Sequence, residues 1–167
     1  RHTNKSINFI GIDSIKPMIV QAKQENKINK KNKNKIKYQQ SDVKNCSFKK
    51  SDLIISYFTI QFIEPKFRQN LINKIYKSLN WGGGFILFEK VRGPDARFQD
   101  MMSQVYNEYK NDIGYNEKQI YNKSISIRGF LEPFTTSANL AYLKRAGFKD
   151  VMSIMKYTFF EGFLAIK

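Results

Sequence analysis

The sequence contains 167 residues with a net charge of +15, and 41% of its residues are hydrophobic, which predicts one globular domain over residues 1–167. No apolar run approaches the roughly 18 residues that a membrane-spanning helix needs, so the composition excludes such a helix. Cys46 is the only cysteine, which excludes a disulfide framework and a cysteine metal site and favours a reducing, cytoplasmic location.

The first third of the chain predicts a strand, a helix and a second strand. Residues 7–13 form an apolar run that ends in an aspartate. Ser14 is a candidate cap for the helix, whose first turn tolerates Pro17. That helix is expected to give way to the biased run 23–37, and a short strand over 35–39 follows.

The Lys/Asn-rich run at 23–37 supplies much of the positive charge and contains few apolar residues, which predicts a solvated insert. A nucleic-acid contact through these lysines is the alternative, because neutralised phosphates drive non-specific binding. Lysines without interleaved aromatic residues give that alternative little support.

Residues 51–90 predict the centre of the fold as strand, helix, glycine turn and strand. The continuous apolar run 53–58 is typical of a parallel strand covered on both faces. Pro65 opens the helix, and the glycine-rich segment 80–84 is expected to stop it. Because 84–88 is a second apolar run, the helix is a crossover between parallel strands. The expected buried stripe of this helix consists of Phe67, Leu71, Ile72, Ile75, Tyr76 and Leu79.

Three further helices are expected after residue 90. The turn 92–95 opens the first, which Gly114 ends, and a second covers 116–127. Thr135 or Thr136 caps the third, which Gly147 closes. The first of these helices has an expected buried stripe of Phe98, Met101, Met102, Val105, Tyr106 and Tyr109.

The last two predicted strands, 151–159 and 163–167, are joined by a link short enough for an antiparallel hairpin. Alternating strands and helices predict an α/β fold with a doubly wound, mostly parallel sheet and helices on both faces. The closing hairpin suggests the particular variant of this fold that S-adenosylmethionine-dependent methyltransferases of class I share.

Ligands of open α/β sheets bind outside the carboxyl ends of the strands, where two acids and a tyrosine are expected. Asp13 is suited to accept hydrogen bonds from both ribose hydroxyls of a nucleoside. Asp42 is suited to accept from an adenine amino group, with the Val43 N–H meeting a ring nitrogen. Tyr57 ends the third strand and is a candidate for the methionine side. The competing interpretation of each aspartate is a helix or turn cap.

Other kinds of site find no support in the sequence. His2 is the only histidine, so neither a histidine base nor a metal cluster is expected. The glycines at 82–84 precede a strand, whereas the glycine loop of a dinucleotide site follows a strand and opens a helix. What remains is a site that positions a reactive cofactor, and the cofactor supplies the chemistry.

Several stretches of the chain closely resemble the carboxy-S-adenosyl-L-methionine synthase family. The specific part is the central run, and the resemblance extends over nearly the whole chain from residue 7. The matching residues are Gly11-Ile12-Asp13 to Met18, Phe58-Thr59-Ile60-Gln61-Phe62-Ile63-Glu64-Pro65, Arg68-Gln69, Lys74-Ile75-Tyr76, Leu79-Asn80, Gly82-Gly83, Glu89-Lys90, Gly114-Tyr115 and Ala146-Gly147-Phe148.

The resemblance implies that the chain binds S-adenosyl-L-methionine and carboxylates it with the carboxyl group of prephenate, ahead of a tRNA wobble-uridine modification. It places the adenosine contacts on Asp13, Ser14, Asp42 and Val43. The family's first strand and glycine loop would precede residue 1, so the amino-terminal part is expected to be missing. A homodimer is a further possibility that the resemblance leaves open.

Two positions depart from the family pattern. Tyr57 stands where the family has an asparagine, and Ser124 stands where it has its carboxylate-binding arginine. Serine cannot supply the bidentate fork of a guanidinium. Arg128 lies one helical turn further on and is a candidate replacement, although a solvent-facing arginine is the competing interpretation.

These departures leave three alternatives to carboxylation open. The first is an ordinary S-adenosylmethionine-dependent methyltransferase of unknown acceptor. The second is a non-catalytic, degenerate domain that binds RNA or a protein partner through its lysines. The third, a nucleotide-dependent oxidoreductase, suits the closing hairpin and the central run poorly.

Overall fold

The computed structural model describes residues 7–28 and 35–167. Residues 29–34, the middle of the expected insert, and the amino-terminal residues around His2 lie outside the described residues. The described residues fall into two compact units, divided between Ser47 and Phe48. The expectation of a single domain stays a prediction.

The first unit is a two-stranded parallel sheet with one helix. Strands β1 (Asn8–Asp13) and β2 (Lys35–Gln40) pair in parallel along their whole length. Helix α1 (Lys16–Ile28) packs on both strands. The helix therefore includes residues 23–28, the first part of the expected insert.

The second unit is a mixed sheet flanked by helices. Its strands are β3 (Ser51–Tyr57), β4 (Leu79–Arg92), β5 (Phe134–Thr135), β6 (Asp150–Tyr157) and β7 (Phe160–Ile166). The strand order is β3-β4-β7-β6, with β5 paired to the end of β4. β3 and β4 are parallel, whereas β7 is antiparallel to both of its neighbours. The expected α/β fold with a closing hairpin is confirmed. The hairpin turn, however, is at 158–159 rather than at 160–162.

Four α-helices and a single 3-10 turn connect these strands. They are the 3-10 turn Ile60–Phe62, α2 (Pro65–Ser78), α3 (Ala96–Asp112), α4 (Glu117–Ser126) and α5 (Thr136–Ala146). Their ends follow the sequence: Pro65 begins α2, and the Asp95 carboxylate caps α3 by accepting the Phe98 N–H. Thr135 caps α5, and Gly147 ends it with φ of 114°. These ends confirm the predicted helix signals.

The core of the second unit lies between β4, β7 and the helices α2 and α5. Leu79, Leu87, Phe85, Phe163 and Leu143 are completely buried there. Burial of such side chains is the main stabilising contribution of the fold, at about 1.5–3 kcal/mol each.

Strand β3 is less buried than its apolar sequence predicts. Leu53, Ile55 and Tyr57 are 51%, 56% and 68% exposed. The prediction of a strand covered on both faces is wrong, because these three residues alternate along β3 and share one face, which the described residues leave exposed.

The glycines after α2 do not stop that helix. Leu79 ends it in an extended conformation, and β4 begins at once. Gly82 has φ of 74° and donates its N–H to the carbonyl of Lys167. A Cβ on Gly83 would lie 2.9 Å from the Asn80 carbonyl oxygen. The glycines therefore let β4 pass close to other backbone, which is a different use from the predicted helix stop.

Helix α3 is rotated relative to its predicted stripe. Phe98, Met101, Val105 and Tyr109 are 43–53% exposed, so the expected burial of these residues is wrong. The half-buried side chains are Gln99, Met102, Ser103, Tyr106 and Lys110. The inward face is thus shifted by about one residue, because Tyr106 packs against Phe159 and Phe160 of the hairpin.

Candidate functional site

The predicted acids of the first unit lie at the same end of its sheet. Asp13 ends β1 opposite Gln40, the last residue of β2. The Ser41 N–H donates to the Asp13 carbonyl at 3.0 Å, and Asp42 follows directly. The structure therefore brings the backbone of the two strand ends together, as the sequence predicts for parallel strands.

Asp13 forms a local turn and keeps acceptor capacity. Its Oδ1 accepts the Ile15 N–H at 2.7 Å, and Oδ2 has no partner among the described residues. Helix α1 begins at Lys16, two residues after the predicted cap, Ser14. The side chain that accepts a backbone N–H just before the helix is that of Asp13. A half-buried carboxylate with one free oxygen is suited to accept a hydroxyl hydrogen bond.

Asp42 and Val43 form a tight turn after β2. The Asp42 Oδ1 accepts the Lys44 N–H at 2.9 Å, and its Oδ2 lies 3.4 Å from the Lys44 ammonium. The Asp42 carbonyl accepts N–H groups from Asn45 and Cys46. The Val43 N–H has no acceptor within residues 7–28 and 35–167, so it remains able to donate to a ligand.

Tyr57 is in the second unit, at the carboxyl end of β3. Its ring meets the edges of Phe58 at 4.5 Å and Phe88 at 5.6 Å between centroids. Phe58 has φ of 51°, which costs a non-glycine residue about 1–3 kcal/mol. Its N–H donates to the Phe88 carbonyl at 2.9 Å. The packed rings and this bond hold the strand end in a conformation that would otherwise relax.

A buried acid fixes the segment that follows this strand end. The Glu89 Oε1 accepts the Ile60 N–H at 3.1 Å, and the Gln61 Oε1 accepts the Lys90 N–H at 2.8 Å. Arg68 donates to the Gln61 carbonyl at 3.2 Å. Burial raises the pKa of Glu89 to about 8, although the Ile60 N–H and the Arg68 charge oppose that rise. The sequence signal for this network was an acid within the apolar run of β4.

The second unit contains a cavity of about 470 Å³ beside the carboxyl end of β4. Its polar lining consists of Lys90, Arg92, Gln99, Ser124 and Arg128, and its apolar lining of Val91, Ile127, Leu131, Pro133 and Phe159. No Asp or Glu is among the described residues that line it. Ser124 and Arg128 therefore share one cavity, whereas the sequence gave no reason to include Lys90 or Arg92.

Lys90 has an unusual environment for an ammonium group. Its Nζ lies 4.8 Å from the Phe159 ring centroid and 5.3 Å from that of Tyr106. Lys110 approaches the same Tyr106 ring at 4.1 Å. Burial lowers the pKa of Lys90, and the positive charge of Lys110 lowers it further. A lysine in this environment loses its proton more readily than an exposed lysine does.

Within residues 7–28 and 35–167, the structure contains neither a metal-binding cluster nor a membrane-spanning helix. No group of three or more His, Cys, Asp or Glu side chains in that part of the chain is arranged to hold a metal ion. None of its helices combines the length and apolar composition that a membrane span requires.

Comparison with known proteins decides the family. The family model described as "Methyltransferase domain" matches residues 1–83. The carboxy-S-adenosyl-L-methionine synthases of Staphylococcus epidermidis and Campylobacter lari are 36% and 35% identical over 163 residues. These matches cover 98% of this chain and 69% and 68% of the two relatives. The chain belongs to the carboxy-S-adenosyl-L-methionine synthase family.

Solved structures of other proteins share the fold of this member of the carboxy-S-adenosyl-L-methionine synthase family. A methyltransferase from Methanosarcina mazei matches with a TM-score of 0.65 at 15% identity, covering 96% of this chain and 82% of that one. Human N-acetylserotonin methyltransferase matches with a TM-score of 0.60 at 19% identity, covering 97% and 40%. The methyltransferase SibL has a TM-score of 0.65 at 13% identity, and this chain covers 43% of it. The fold is that of the S-adenosylmethionine-dependent methyltransferases.

Proposed function

We propose that this chain binds S-adenosyl-L-methionine and transfers to it a carboxyl group from a small carboxylic acid, prephenate being the donor that the family resemblance implies. The observation that supports this most directly is the cavity shared by Ser124 and Arg128. Its polar lining carries three cationic side chains and no acid among the described residues. Such a lining suits a carboxylate-bearing substrate.

The first unit fits the adenosyl part of the cofactor. Asp13 has a carboxylate oxygen without a partner in the described part of the chain, and a ribose hydroxyl is a suitable donor to it. The Val43 N–H, likewise unpaired there, is a suitable donor to an adenine nitrogen. We propose Asp13, Ser14, Asp42 and Val43 as the adenosyl-binding residues.

In the second unit, we propose Arg128 as the carboxylate-binding residue. Serine at 124 has a hydroxyl but no charge, whereas the guanidinium of Arg128 offers two parallel N–H donors to a carboxylate. Arg128 has no acidic partner among the described residues, so its charge is free to bind a ligand. Arg92 lines the same cavity without such a partner.

The chemistry requires the protein mainly to hold reactants in position. S-adenosylmethionine, when bound, supplies a sulfonium-activated methyl carbon. The arginines bind and orient the donor's carboxylate, and the apolar wall of the cavity keeps water from it. We propose Tyr57 as a cofactor contact at the end of β3, where the strained Phe58 fixes the position of the strand end.

Isothermal titration of S-adenosylmethionine tests the cofactor site. Asp13→Asn is expected to weaken binding by about 1–3 kcal/mol, because an amide accepts the ribose hydrogen bonds without a charge. Asp112→Asn, a change of the same chemistry on the exposed face of α3, is expected to leave binding unchanged. Equal affinities for the two variants would show that the ribose binds elsewhere.

Mass spectrometry of the recovered cofactor, after incubation with prephenate, tests the transfer. Carboxylated cofactor is expected with the wild type and with Arg97→Ala, an exposed arginine outside the cavity. Arg128→Ala is expected to reduce the yield by at least about tenfold, the effect of losing a charged hydrogen bond. Cofactor that binds but stays uncarboxylated would favour the ordinary methyltransferase.

We further propose three properties that the family resemblance implies. They are a place ahead of tRNA wobble-uridine modification, a cytoplasmic location and a homodimer.

The degenerate RNA-binding alternative predicts binding through the lysines of 23–37 that weakens steeply with salt. RNA binding that is absent or independent of salt would exclude it.

A further inference from the structure

One end of the second unit carries an exposed tryptophan on a tight turn. Trp81, the only tryptophan of the chain, is 91% exposed. It follows Asn80 near the start of β4 and precedes Gly82, whose φ is 74°. The Gly82 N–H donates to the Lys167 carbonyl at 2.9 Å, and the Lys167 N–H donates to the Gly83 carbonyl at 3.0 Å. Backbone hydrogen bonds therefore hold the turn, and the indole ring remains in water.

The topology places cationic residues around this turn. Strands β3 and β4 are parallel and start at this end, whereas β7 finishes there because it is antiparallel to β4. Strand β6 also starts there, and α2 and α5 end there because they precede β4 and β6. The cationic residues at these starts and ends are Lys49, Lys50, Lys77, Lys144, Arg145, Lys149 and Lys167. Together with Trp81 they form the basic end of the second unit.

Hydrogen bonds fix two of these lysines beside the turn. The Lys50 ammonium donates to the Lys77 carbonyl at 2.9 Å, and the Lys167 ammonium donates to the Leu79 carbonyl at 2.7 Å. The Lys167 Nζ also lies 4.9 Å from the centroid of the Tyr76 ring. Each of these bonds uses one of the three donors of an ammonium group, so the charge and the other donors stay available to a ligand.

Two acids lie at the same end and do not offset these charges. The Asp52 carboxylate accepts from the Asn80 side-chain amide at 2.8 Å, and Asp150 begins β6. Neither forms an ion pair with another described residue. Lys77 and Lys149 are exposed and likewise have no acidic partner in the described part of the chain. The basic end therefore combines a surplus of positive charge with an aromatic ring in water.

We propose that the basic end binds single-stranded nucleic acid, with one base stacked on Trp81 and the backbone phosphates held by the surrounding lysines. Proteins bind single strands with this combination of cations and aromatic rings, because every base has a face that stacks. The Lys/Asn-rich run at 23–37 has the charge but no aromatic residue. The basic end has both.

An anionic membrane is the competing partner for a tryptophan among lysines. Surfaces that bind membranes insert a set of apolar side chains into the headgroup region. The residues on either side of Trp81 are Asn80 and Gly82, which supply none. The structure therefore favours a nucleic acid, whose bases need one accessible ring.

The basic end is remote from the cavity beside β4. Trp81 lies near the start of this strand and Lys90 near its end, so they are roughly 25–30 Å apart at about 3.3 Å per residue. An oligonucleotide at the basic end leaves the cavity open. The inference is thus independent of the proposed function, and the failure of one leaves the other standing.

Tryptophan fluorescence tests the stacking directly, because Trp81 is the only tryptophan and a stacked base quenches its emission. The probe is an oligoadenylate of about 12 nucleotides, titrated into the whole chain. We expect saturable quenching by the oligoadenylate and no comparable quenching by polyphosphate, which has the charge without the bases. The wild type alone gives this result. Equal quenching by the two polymers, or binding of the oligoadenylate without quenching, would overturn the inference.

Fluorescence anisotropy of a labelled oligoadenylate measures the contribution of the ring to affinity. Trp81→Ala is expected to bind about tenfold more weakly, the effect of losing one stacked base. Tyr121→Ala removes an equally accessible aromatic ring from α4 and is expected to keep the wild-type affinity. Equal affinities for Trp81→Ala and the wild type would show that the ring is not part of the site.

The salt dependence of the same binding measures the contribution of the lysines. Each phosphate contact on a single strand contributes about 0.7 to the slope of log affinity against log salt. Lys77→Ala combined with Lys149→Ala should therefore make the slope shallower by about 1.4. Lys118→Ala combined with Lys123→Ala, a pair of exposed lysines on α4, should leave it unchanged. Equal changes from the two pairs would show diffuse binding by charge and overturn the inference.

Vesicles of phosphatidylcholine and phosphatidylserine distinguish the membrane from the nucleic acid. We expect them to bind the wild type and Trp81→Ala equally. Vesicle binding that depends on Trp81, without binding of the oligoadenylate, would assign the basic end to a membrane surface and overturn the inference.

Discussion

The substitution Glu89→Gln should change how the stability of the protein depends on pH. In the folded protein Glu89 is 2% exposed and has a pKa of about 8, against a usual 4.5. The folded state therefore keeps a proton that the unfolded state has already released between those pH values. Rising pH then favours the unfolded state, and stability falls by about 1.4 kcal/mol per pH unit.

The effect over the whole interval from 4.5 to about 8 is on the order of 5 kcal/mol. Glutamine does not titrate, and its carbonyl oxygen still accepts the Ile60 N–H. Relative to the wild type, Glu89→Gln should therefore gain about 2 kcal/mol between pH 6 and pH 7.5. Urea unfolding of both proteins at these two pH values measures the gain.

Glu161 provides the matched control. It is equally buried and lies opposite Glu89 in the pairing of β4 with β7. Its oxygens accept from the Lys156 ammonium at 2.8 Å and the Thr136 hydroxyl at 2.6 Å. Glu161→Gln should lower the free energy of unfolding at both pH values. The decrease of that free energy from pH 6 to pH 7.5 should remain, because Glu89 is still present. Parallel pH profiles for the wild type and Glu89→Gln would refute the reasoning.

Four further substitutions test the packing of the second unit by urea unfolding. Phe148→Ala should cost about 3–5 kcal/mol, because the ring is 1% exposed and leaves a cavity. Gly147→Ala should destabilise more than Gly114→Ala: both have positive φ, but only at Gly147 would the new Cβ lie 2.8 Å from the Tyr76 ring. Thr135→Ala should cost about 0.5–2 kcal/mol through loss of the helix cap. Equal losses at the two glycines would show that the contact with Tyr76 relaxes freely.

The ends of α3 and α5 were predictable because their signals are local. The Asp95 carboxylate reaches an N–H three residues away, and Gly147 needs only its own left-handed conformation. The capping box of α4 is equally local, with Asn116 and Gln119 bonded to each other's backbone. Such contacts lie within a few residues of sequence, where propensity and spacing decide.

Burial was less predictable because it depends on the neighbours of an element. The apolar run of β3 fits a strand covered on both faces equally well, and only the packing of its neighbours shows that the face of Leu53 and Ile55 is exposed. The inward face of α3 differs from its apolar stripe by one residue. Helix α3 packs on the aromatic hairpin through Tyr106, a contact that its own periodicity cannot reveal.

The candidate site shows the same limit. The position of Asp13 and Asp42 at one end of the sheet was predictable because parallel strands end at one edge. The Glu89 bond to Ile60 spans 29 residues, and Lys90 and Arg128 come together only through the fold. Arg128 was predictable as a candidate because it lies one helical turn after Ser124. Nothing in the sequence indicated that the Lys90 ammonium would line the same cavity.

The free side of β3 has a practical consequence for handling the protein. Within the described residues this strand forms a ladder on one side only, and it presents Leu53 and Ile55 to water. Such a strand is a template for the strands of other molecules, which leads to aggregation. The net charge of +15 repels approaching copies, and salt screens that repulsion. For the 167-residue chain, concentrated salt should therefore promote association, whereas dilute buffers should keep it dispersed.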